Sequence, residues 1–583
     1  MNFLRPPVIL ELRIPMEELT GTGGSMELAD PAFREIVENR CRKQLKTQKI
    51  SESPAEILIK RRSFDFRAKY EPALLLSVEA RFGSETRRKT TACPDRLPFR
   101  QKTAKATKAA VIGAGPAGLF CALELARAGI AVTLIERGDR VDARTQRVES
   151  YWEKGRLDPE SNVQFGEGGA GTFSDGKLTT LIKEKHSAGR EVLETFCRFG
   201  APENILIDAH PHIGTDLLRE TVARMREEII NLGGQVLFRT KATGITVDNG
   251  RVRGLTCVNN DSRPDPEQVK ARQEAVFFIP ADAVFLAIGH SARDTFEQLH
   301  QSGIRMSPKP MAVGLRIEHP QALINARQYG DFSGLLGKHY PAIYKLSCPA
   351  GSTGRTAFTF CMCPGGFVVN ASSEPGGLVT NGMSYSARDS ANANSAVLSP
   401  AIPADYLPYE RYPSDPLAGI YFQRAIETAA CRLTGGTGKL PAETFGQYAS
   451  DLGAAARPAA LASGLSGLFA GFTSQLKGAS APGDLTKILP RPLALTVAEG
   501  ISGFGKLIPG FDAEAAILTG PESRSSSPVR IDRDRDTYES LSAKGLYPIG
   551  EGAGYAGGIV SAAADGLKAA RRFIAAAIGA AAG

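Results

Sequence analysis

The chain of 583 residues, with 42% apolar and 23% charged side chains, has the composition of a globular protein and room for three or four domains of roughly 150 residues each. The net charge of +8 belongs to the first 108 residues, which hold 22 Lys and Arg against 14 Asp and Glu; the other 475 carry 48 of each sign. No apolar run reaches the ~18 residues of a membrane span, the first residues have no signal-peptide core, and nine scattered cysteines without a Cys-x-x-Cys argue against a disulfide framework or a zinc site. A cytoplasmic protein with no membrane partner and no metal is expected.

Residues 7–14 read as a strand, 30–47 as a basic amphipathic helix, and Ile57–Arg67 with Leu74–Phe82 as two more strands. They predict a small α+β domain over 1–105, closed by a polar linker from Gly83 to Thr107. The basic surplus suits a solvated face, an acidic partner or nucleic acid, and the solvated face is the simplest of the three.

Next comes Lys108-Ala-Ala-Val-Ile-Gly-Ala-Gly-Pro-Ala-Gly-Leu-Phe120. The apolar strand Ala109–Ile112 feeds a glycine turn, a helix runs from Pro116 to Arg127, and a second apolar strand ends at Glu136. Strand, glycines, helix and a distant acid together are a full dinucleotide-binding unit. In it Gly113 permits the tight turn, Gly115 the approach of a pyrophosphate, and Gly118 the packing of helix on strand. Pro116 and Ala117 open the helix, whose N-terminal amides and dipole suit phosphate, and Glu136 stands where an acid meets a ribose.

Further along, Leu217–Leu232 reads as a helix, Gln235–Val247 with Arg251–Val258 as a hairpin around Asp248-Asn-Gly, and Asp261–Glu274 as a loop. Ala281–Gly289 is a buried strand ending in glycine. Short β-like runs (Ala312–Glu318, Thr356–Cys361, Gly366–Ala371) come next, with helices over Leu417–Leu433 and parts of the Ala- and Gly-rich stretch Ala449–Gly483. A last apolar strand at 546–549 enters Gly550-Glu-Gly-Ala-Gly-Tyr-Ala-Gly-Gly558 and an alanine-rich helix from Val560 to Ala577. That arrangement sets amides and a dipole end where the pyrimidine edge of a reduced flavin would carry negative charge.

The GxGxxG pattern occurs at 113–118, 166–171 and 552–557, but only the first lies in a complete βαβ unit. No separate nicotinamide-binding domain is therefore expected. Gly171–Lys177 and Gly500–Lys506 imitate a P-loop, yet both continue with Leu where Mg²⁺ needs Ser or Thr, so nucleotide hydrolysis is rejected.

The dinucleotide unit, the run Asn162-Val-Gln-Phe-Gly-Glu-Gly-Gly-Ala-Gly-Thr-Phe-Ser-Asp-Gly-Lys-Leu178, and Gly550–Ile559 resemble the flavoproteins with a glutathione-reductase-like FAD domain. With Arg316-Ile-Glu-His-Pro320, Cys361-Met-Cys-Pro-Gly-Gly366 and Glu522-Ser-Arg-Ser-Ser-Ser-Pro-Val-Arg530, the chain is most similar to the bacterial FAD-dependent (NAD/FAD-utilising) dehydrogenases, over nearly its whole length. That family usually has Glu-Thr-Arg-Thr-Ser-Ser where this chain has Glu-Ser-Arg-Ser-Ser-Ser, a change that keeps the hydroxyls.

The resemblance implies FAD and places it. Gly113, Gly115 and Gly118 would hold the pyrophosphate, Glu136 the ribose, and Arg137 would lie beside the adenine. The loop with Gly168, Gly169, Gly171, Thr172, Ser174, Asp175, Gly176 and Lys177 would pass the isoalloxazine. Gly289 would approach the cofactor, and Gly550, Glu551, Gly557, Gly558 and Ile559 would close over it. Catalytic candidates are His319 as acid or base, Cys361 and Cys363 as a dithiol on one strand face, Lys177, and Arg530, which with Arg524 could receive a carboxylate or phosphate. Buried structural cysteine is the commoner role for such thiols.

The expected architecture is α/β: a Rossmann-like FAD-binding domain in two parts (106–300 and 510–583), an inserted α+β substrate domain (301–509) and the small N-terminal domain. The expected function is flavin-mediated hydride transfer to or from a small-molecule substrate. NADH or NADPH docks transiently as reductant, or a redox partner protein supplies electrons. Two alternatives stay open: a flavoprotein that binds RNA through its basic N-terminal domain, and a flavin-binding protein without turnover. Substrate and oligomeric state are left undetermined.

Overall fold

The structure is a computed structural model that describes residues 6–67, 70–82, 107–179, 188–260, 276–455 and 467–582. All but Thr107 of the expected linker from Gly83 to Thr107, and all of the expected loop Asp261–Glu274, lie outside these residues. No helix among the described residues is long and apolar enough to cross a membrane.

The centre of the molecule is a parallel sheet of five strands: β1 (Lys108–Ile112), β2 (Ala131–Ile135), β3 (Gln235–Leu237), β4 (Ala283–Leu286) and β5 (Leu546–Pro548), in the order β5-β4-β1-β2-β3. Four residues of β1 and all of β4 are buried, as continuous apolar strands must be when helices cover both faces. Helix α1 (Pro116–Arg127) buries nine of its twelve residues between the sheet and the last helix, α3 (Ile559–Ala582). The approach of these helices is close: a Cβ on Gly566 would stand 2.1 Å from the Ala117 carbonyl oxygen. Helix α2 (Val141–Lys154) follows β2.

The Gln235–Val247 run is not one strand. Arg239 takes a positive φ of 50°, which ends β3 and turns the chain into a separate hairpin, Thr240–Asp248 with Arg251–Asn259. Its turn has positive φ at Asn249 and Gly250, the twist that a two-residue hairpin favours.

The inserted layer is a seven-stranded sheet in the order Ser347–Ala350, Arg355–Cys363, Asn392–Ala401, Met311–Pro320, Ile517–Glu522, Leu440–Thr444 and Ser480–Pro482. All ten residues of Met311–Pro320 are buried, since helices and loops close both faces of this central strand. The sheet takes Ile517–Glu522 from beyond residue 509, so the return to the parallel sheet begins only after Glu522. The Ala- and Gly-rich stretch is less helical than its composition suggests: its described residues form the helix Phe445–Leu452 and the short strands Leu476–Lys477 and Ser480–Pro482. Its glycines favour turns and extended backbone.

The N-terminal domain is a three-stranded antiparallel sheet (Val8–Pro15, Ala73–Arg81, Glu56–Asp65) under the helix Pro31–Thr47. Arg62, buried, fixes it to the body: its Nε donates to Asp208 Oδ1 (2.7 Å), while its Nη1 donates to the Met26 carbonyl (3.0 Å) within the domain.

Candidate functional site: a glycine-walled cavity between two helix N-termini

At the C-terminal ends of the parallel strands, where ligands bind in open α/β sheets, lies a cavity of about 240 Å³ that is partly open to solvent. Two helices point their N-termini into it. Gly115 caps α1 without a side-chain bond and Pro116 has no N–H, so the first amides of α1 keep their hydrogen-bonding capacity; Gly115, Pro116 and Ala117 line the wall. From the far end of the sequence, Gly550, Glu551, Gly558 and Ile559 line it at the start of α3.

The glycines do two jobs here. Gly113 has φ +101°, and a Cβ on it would lie 2.4 Å from the Ala287 carbonyl oxygen; on Gly118 it would lie 1.8 Å from the Gly113 oxygen. These two set the turn. Gly115 and Gly169 pack against each other in the cavity wall, a Cβ on Gly169 falling 3.0 Å from the Gly115 Cα. A side chain at Gly169 would press the two loops apart.

Glu136 is buried, and its carboxylate gathers three backbone amides: Ala114 N–H donates to Oε2 (2.8 Å), and Gly138 and Gly166 donate to Oε1 (2.9 and 3.0 Å). The acid tethers both glycine loops while lining the cavity. Arg137 donates to Glu160 (2.6 Å) and to both oxygens of Asp294 (2.9 and 3.0 Å), and its guanidinium lies 4.2 Å from the centre of the Phe165 ring. It too lines the cavity, as a planar group held edge-on by carboxylates.

Arg144 of α2, missed in the sequence, organises the second loop. Completely buried, it donates to the carbonyls of Asn162 (2.9 Å), Val163 (2.9 Å), Gly166 (3.2 Å), Glu167 (2.7 Å) and Gly169 (2.9 Å). Gly168 N–H then donates to the Ala114 carbonyl (2.8 Å), which locks this loop to the first.

Within the 168–177 loop the residues divide. Gly169, Gly171 and Ser174 reach the cavity. Gly168, Thr172, Asp175, Gly176 and Lys177 do not; they pack behind it. Asp175 accepts from Ser384 Oγ (2.6 Å) and Arg388 Nη2 (2.9 Å), with Lys177 Nζ at 3.6 Å. Burial alone would raise its carboxyl, but these cations hold it at about 2. Gly118 and Gly557 also lie off the lining, Gly118 in the helix–strand contact and Gly557 exposed at the rim, while Gly289 lines the cavity.

Of the catalytic candidates, only Cys361 lines the cavity. A β-bulge between Phe360 and Cys363 gives Cys361 a positive φ of 43°, so the two thiols do not share a face. Cys361 is exposed to the cavity, and desolvation by the protein around it pushes its thiol up to about 11; Cys363 is buried and donates to the Cys361 carbonyl (3.2 Å). His319 is fully buried with Nε2 2.7 Å from the Phe511 carbonyl oxygen, away from the cavity, and burial lowers it to about 4. Arg530 is exposed beside the Tyr555 ring. Arg524 does line the wall, but its Nε and Nη2 are occupied by Glu427 (3.0 and 2.8 Å) and its Nη1 by Ser373 (2.6 Å).

The inserted sheet contributes Phe360 and Glu522 to the wall, and the strand Thr380–Met383 of a separate three-stranded sheet contributes Asn381. Glu522 is held by both arms of the buried Arg316 (2.7 Å each). The charges on this wall are thus paired internally. Glu551, across the cavity, is raised to about 7 by burial, against the pull of the Gly558 amide and Lys309.

An open parallel sheet, a glycine turn at a helix N-terminus and a buried acid at the end of the second strand define a dinucleotide-binding α/β protein. Residues 108–172 match the family described as FAD dependent oxidoreductase, and residues 310–525 the FAD-dependent protein, C-terminal domain-like. An uncharacterised protein of Clostridium beijerinckii is 44% identical over 464 residues, 80% of each chain. The chain belongs to this FAD-dependent oxidoreductase family, and FAD is its cofactor.

Among solved structures, the Bacillus halodurans glycerol-3-phosphate dehydrogenase complexed with FAD is 13% identical, over 82% of this chain and 65% of its own, with a TM-score of 0.30. Thermovibrio ammonificans THI4 is 20% identical, over 35% and 66%, with a TM-score of 0.23. The Rhodococcus jostii 3-ketosteroid-delta4-(5alpha)-dehydrogenase is 12% identical, over 82% and 98%, with a TM-score of 0.31.

Proposed function

We propose that the protein transfers a hydride between FAD held in this cavity and a small-molecule substrate that enters against the wall formed by Phe360, Cys361 and Asn381. The observation that carries the reading is the convergence of two helix N-termini, α1 and α3, on one glycine-walled cavity. A bound flavin supplies the hydride chemistry, and the chain's own groups orient, shield and balance charge.

In this reading Gly113, Gly115 and the Ala117 amide receive the pyrophosphate, Glu136 offers its remaining acceptor capacity to the ribose, and Arg137 presents its planar face near the adenine. Gly169, Gly171 and Ser174 border the ring, and Gly289 borders the cofactor chain. Gly550, Gly558 and Ile559 close the opposite side, where the dipole of α3 stabilises negative charge. Glu551, poised near neutrality, can hold or release a proton at its carboxyl. NADH or NADPH serves as a transient reductant through the open side of the cavity.

The test is spectroscopic. The purified protein, or its apoprotein mixed with FAD, should show a bound-flavin spectrum that bleaches anaerobically with NADH or NADPH and recovers with a substrate from a panel of neutral oxidants. A protein that takes up no FAD refutes the assignment of the cavity; one that binds FAD but is reduced by neither nicotinamide refutes the reductant.

A further inference from the structure

His290 follows Gly289 at the end of the buried strand β4 and lines the cavity. Its Nε2 is buried and has no hydrogen-bond partner among the described residues. A buried polar atom left in that state is costly unless something satisfies it. The neighbouring Ser291 donates to Gln164 Oε1 (3.1 Å), so the loop around His290 is fixed and the imidazole stands alone in it.

Its electrostatic surroundings are one-sided. Arg524, Arg293 and Lys309 disfavour a charged ring, and Glu427 opposes them but is itself bound by both arginines, Arg293 through Nη1 (2.8 Å) and Nη2 (2.7 Å). Burial first, and then these cations, lower His290 to about 3. The ring therefore stays neutral throughout the physiological range, with one nitrogen donating and the other accepting. FAD presents both hydroxyl donors and carbonyl and phosphate acceptors, which a neutral imidazole matches.

We propose that His290 contacts the cofactor directly, hydrogen-bonding FAD through Nε2. The inference rests on the FAD reading of the cavity and adds a residue to it. His290→Leu removes the bond and His290→Gln keeps an amide near the same place. In the full-length apoprotein titrated with FAD, the Leu variant should bind about tenfold more weakly, equivalent to 1.4 kcal/mol, with a shifted flavin absorption band, and the Gln variant should recover most of both. Wild-type affinity should not change with protonation of this ring between pH 5.5 and 8.5.

A folded Leu variant with wild-type affinity and spectrum would overturn the contact. If the Leu variant does not fold, His290→Gln and His290→Asn decide, because the Gln amide reaches the Nε2 position and the Asn amide does not; equal affinities overturn the contact. A wild-type protein that takes up no FAD overturns both readings, whereas wild-type uptake beside an indifferent Leu variant overturns this one alone.

Discussion

Replacing Arg144 with Met tests how the second glycine loop is held. The substitution keeps the buried aliphatic stem and deletes five hydrogen bonds to backbone carbonyls. Three of those carbonyls retain another donor: Gly166 from Gly169 N–H, Gly169 from Thr172 N–H, and Glu167 from Thr172 Oγ1. The Asn162 and Val163 carbonyls retain none among the described residues. At ~1–3 kcal/mol for each orphaned buried acceptor, Arg144→Met should destabilise the protein by about 2–6 kcal/mol. Arg144→Lys, with three donors in place of five, should fall between. Urea unfolding measures the total, and hydrogen exchange over 160–172 shows whether the loss is local. Since Gly168 donates to the Ala114 carbonyl, FAD affinity should fall with it. A Met variant within 1 kcal/mol of wild type, with unchanged exchange in this loop, would refute the account.

Three further outcomes are expected. Glu136→Gln leaves one carbonyl oxygen for three backbone amides and turns an NH₂ toward one of them, so stability should drop by about 2–4 kcal/mol and FAD binding should weaken, measured by melting and flavin titration. Gly118→Ala forces a Cβ to 1.8 Å from the Gly113 oxygen and should lower FAD affinity by more than tenfold, where Gly351→Ala, with open space around it and no positive φ, should leave affinity unchanged. Cys361 should be alkylated in the apoprotein and protected by FAD while Cys363 resists. Alkylation requires the thiolate, and burial raises the Cys361 thiol from 9.0 to about 11. The rate should therefore keep climbing with pH through 9 and 10, and a plateau near pH 8.5 on peptide mapping would contradict it.

What could be read from the chain was whatever is encoded locally. The glycine turn, α1 and Glu136 fall within thirty residues, and their chemistry follows from φ angles, helix ends and reach. Arg144 was invisible because a lone arginine on an amphipathic helix reads as solvent-facing; its partners form a loop 18–25 residues on, and nothing in the pattern says that the loop folds back. Arg316 with Glu522, and Arg293 with Glu427, pair across more than a hundred residues. Cys361 and Cys363 misled because alternation assumes a regular strand, and a bulge breaks that period. His290 had a usable signal in its adjacency to Gly289, but burial and the lack of a partner are properties of the folded state.

The parallel sheet is completed by β5, which pairs with β4 across some 260 intervening residues, and α1 is covered by α3. On a ribosome, the N-terminal domain and the inserted sheet are translated before the strand that closes the nucleotide-binding sheet. The cavity wall is therefore complete only once β5 and the start of α3 are in place. A chain that stalls earlier holds a glycine turn with an uncovered apolar helix, a surface that chaperones and proteases recognise. The wiring makes the cavity depend on a strand and a helix that follow the whole inserted sheet in the chain.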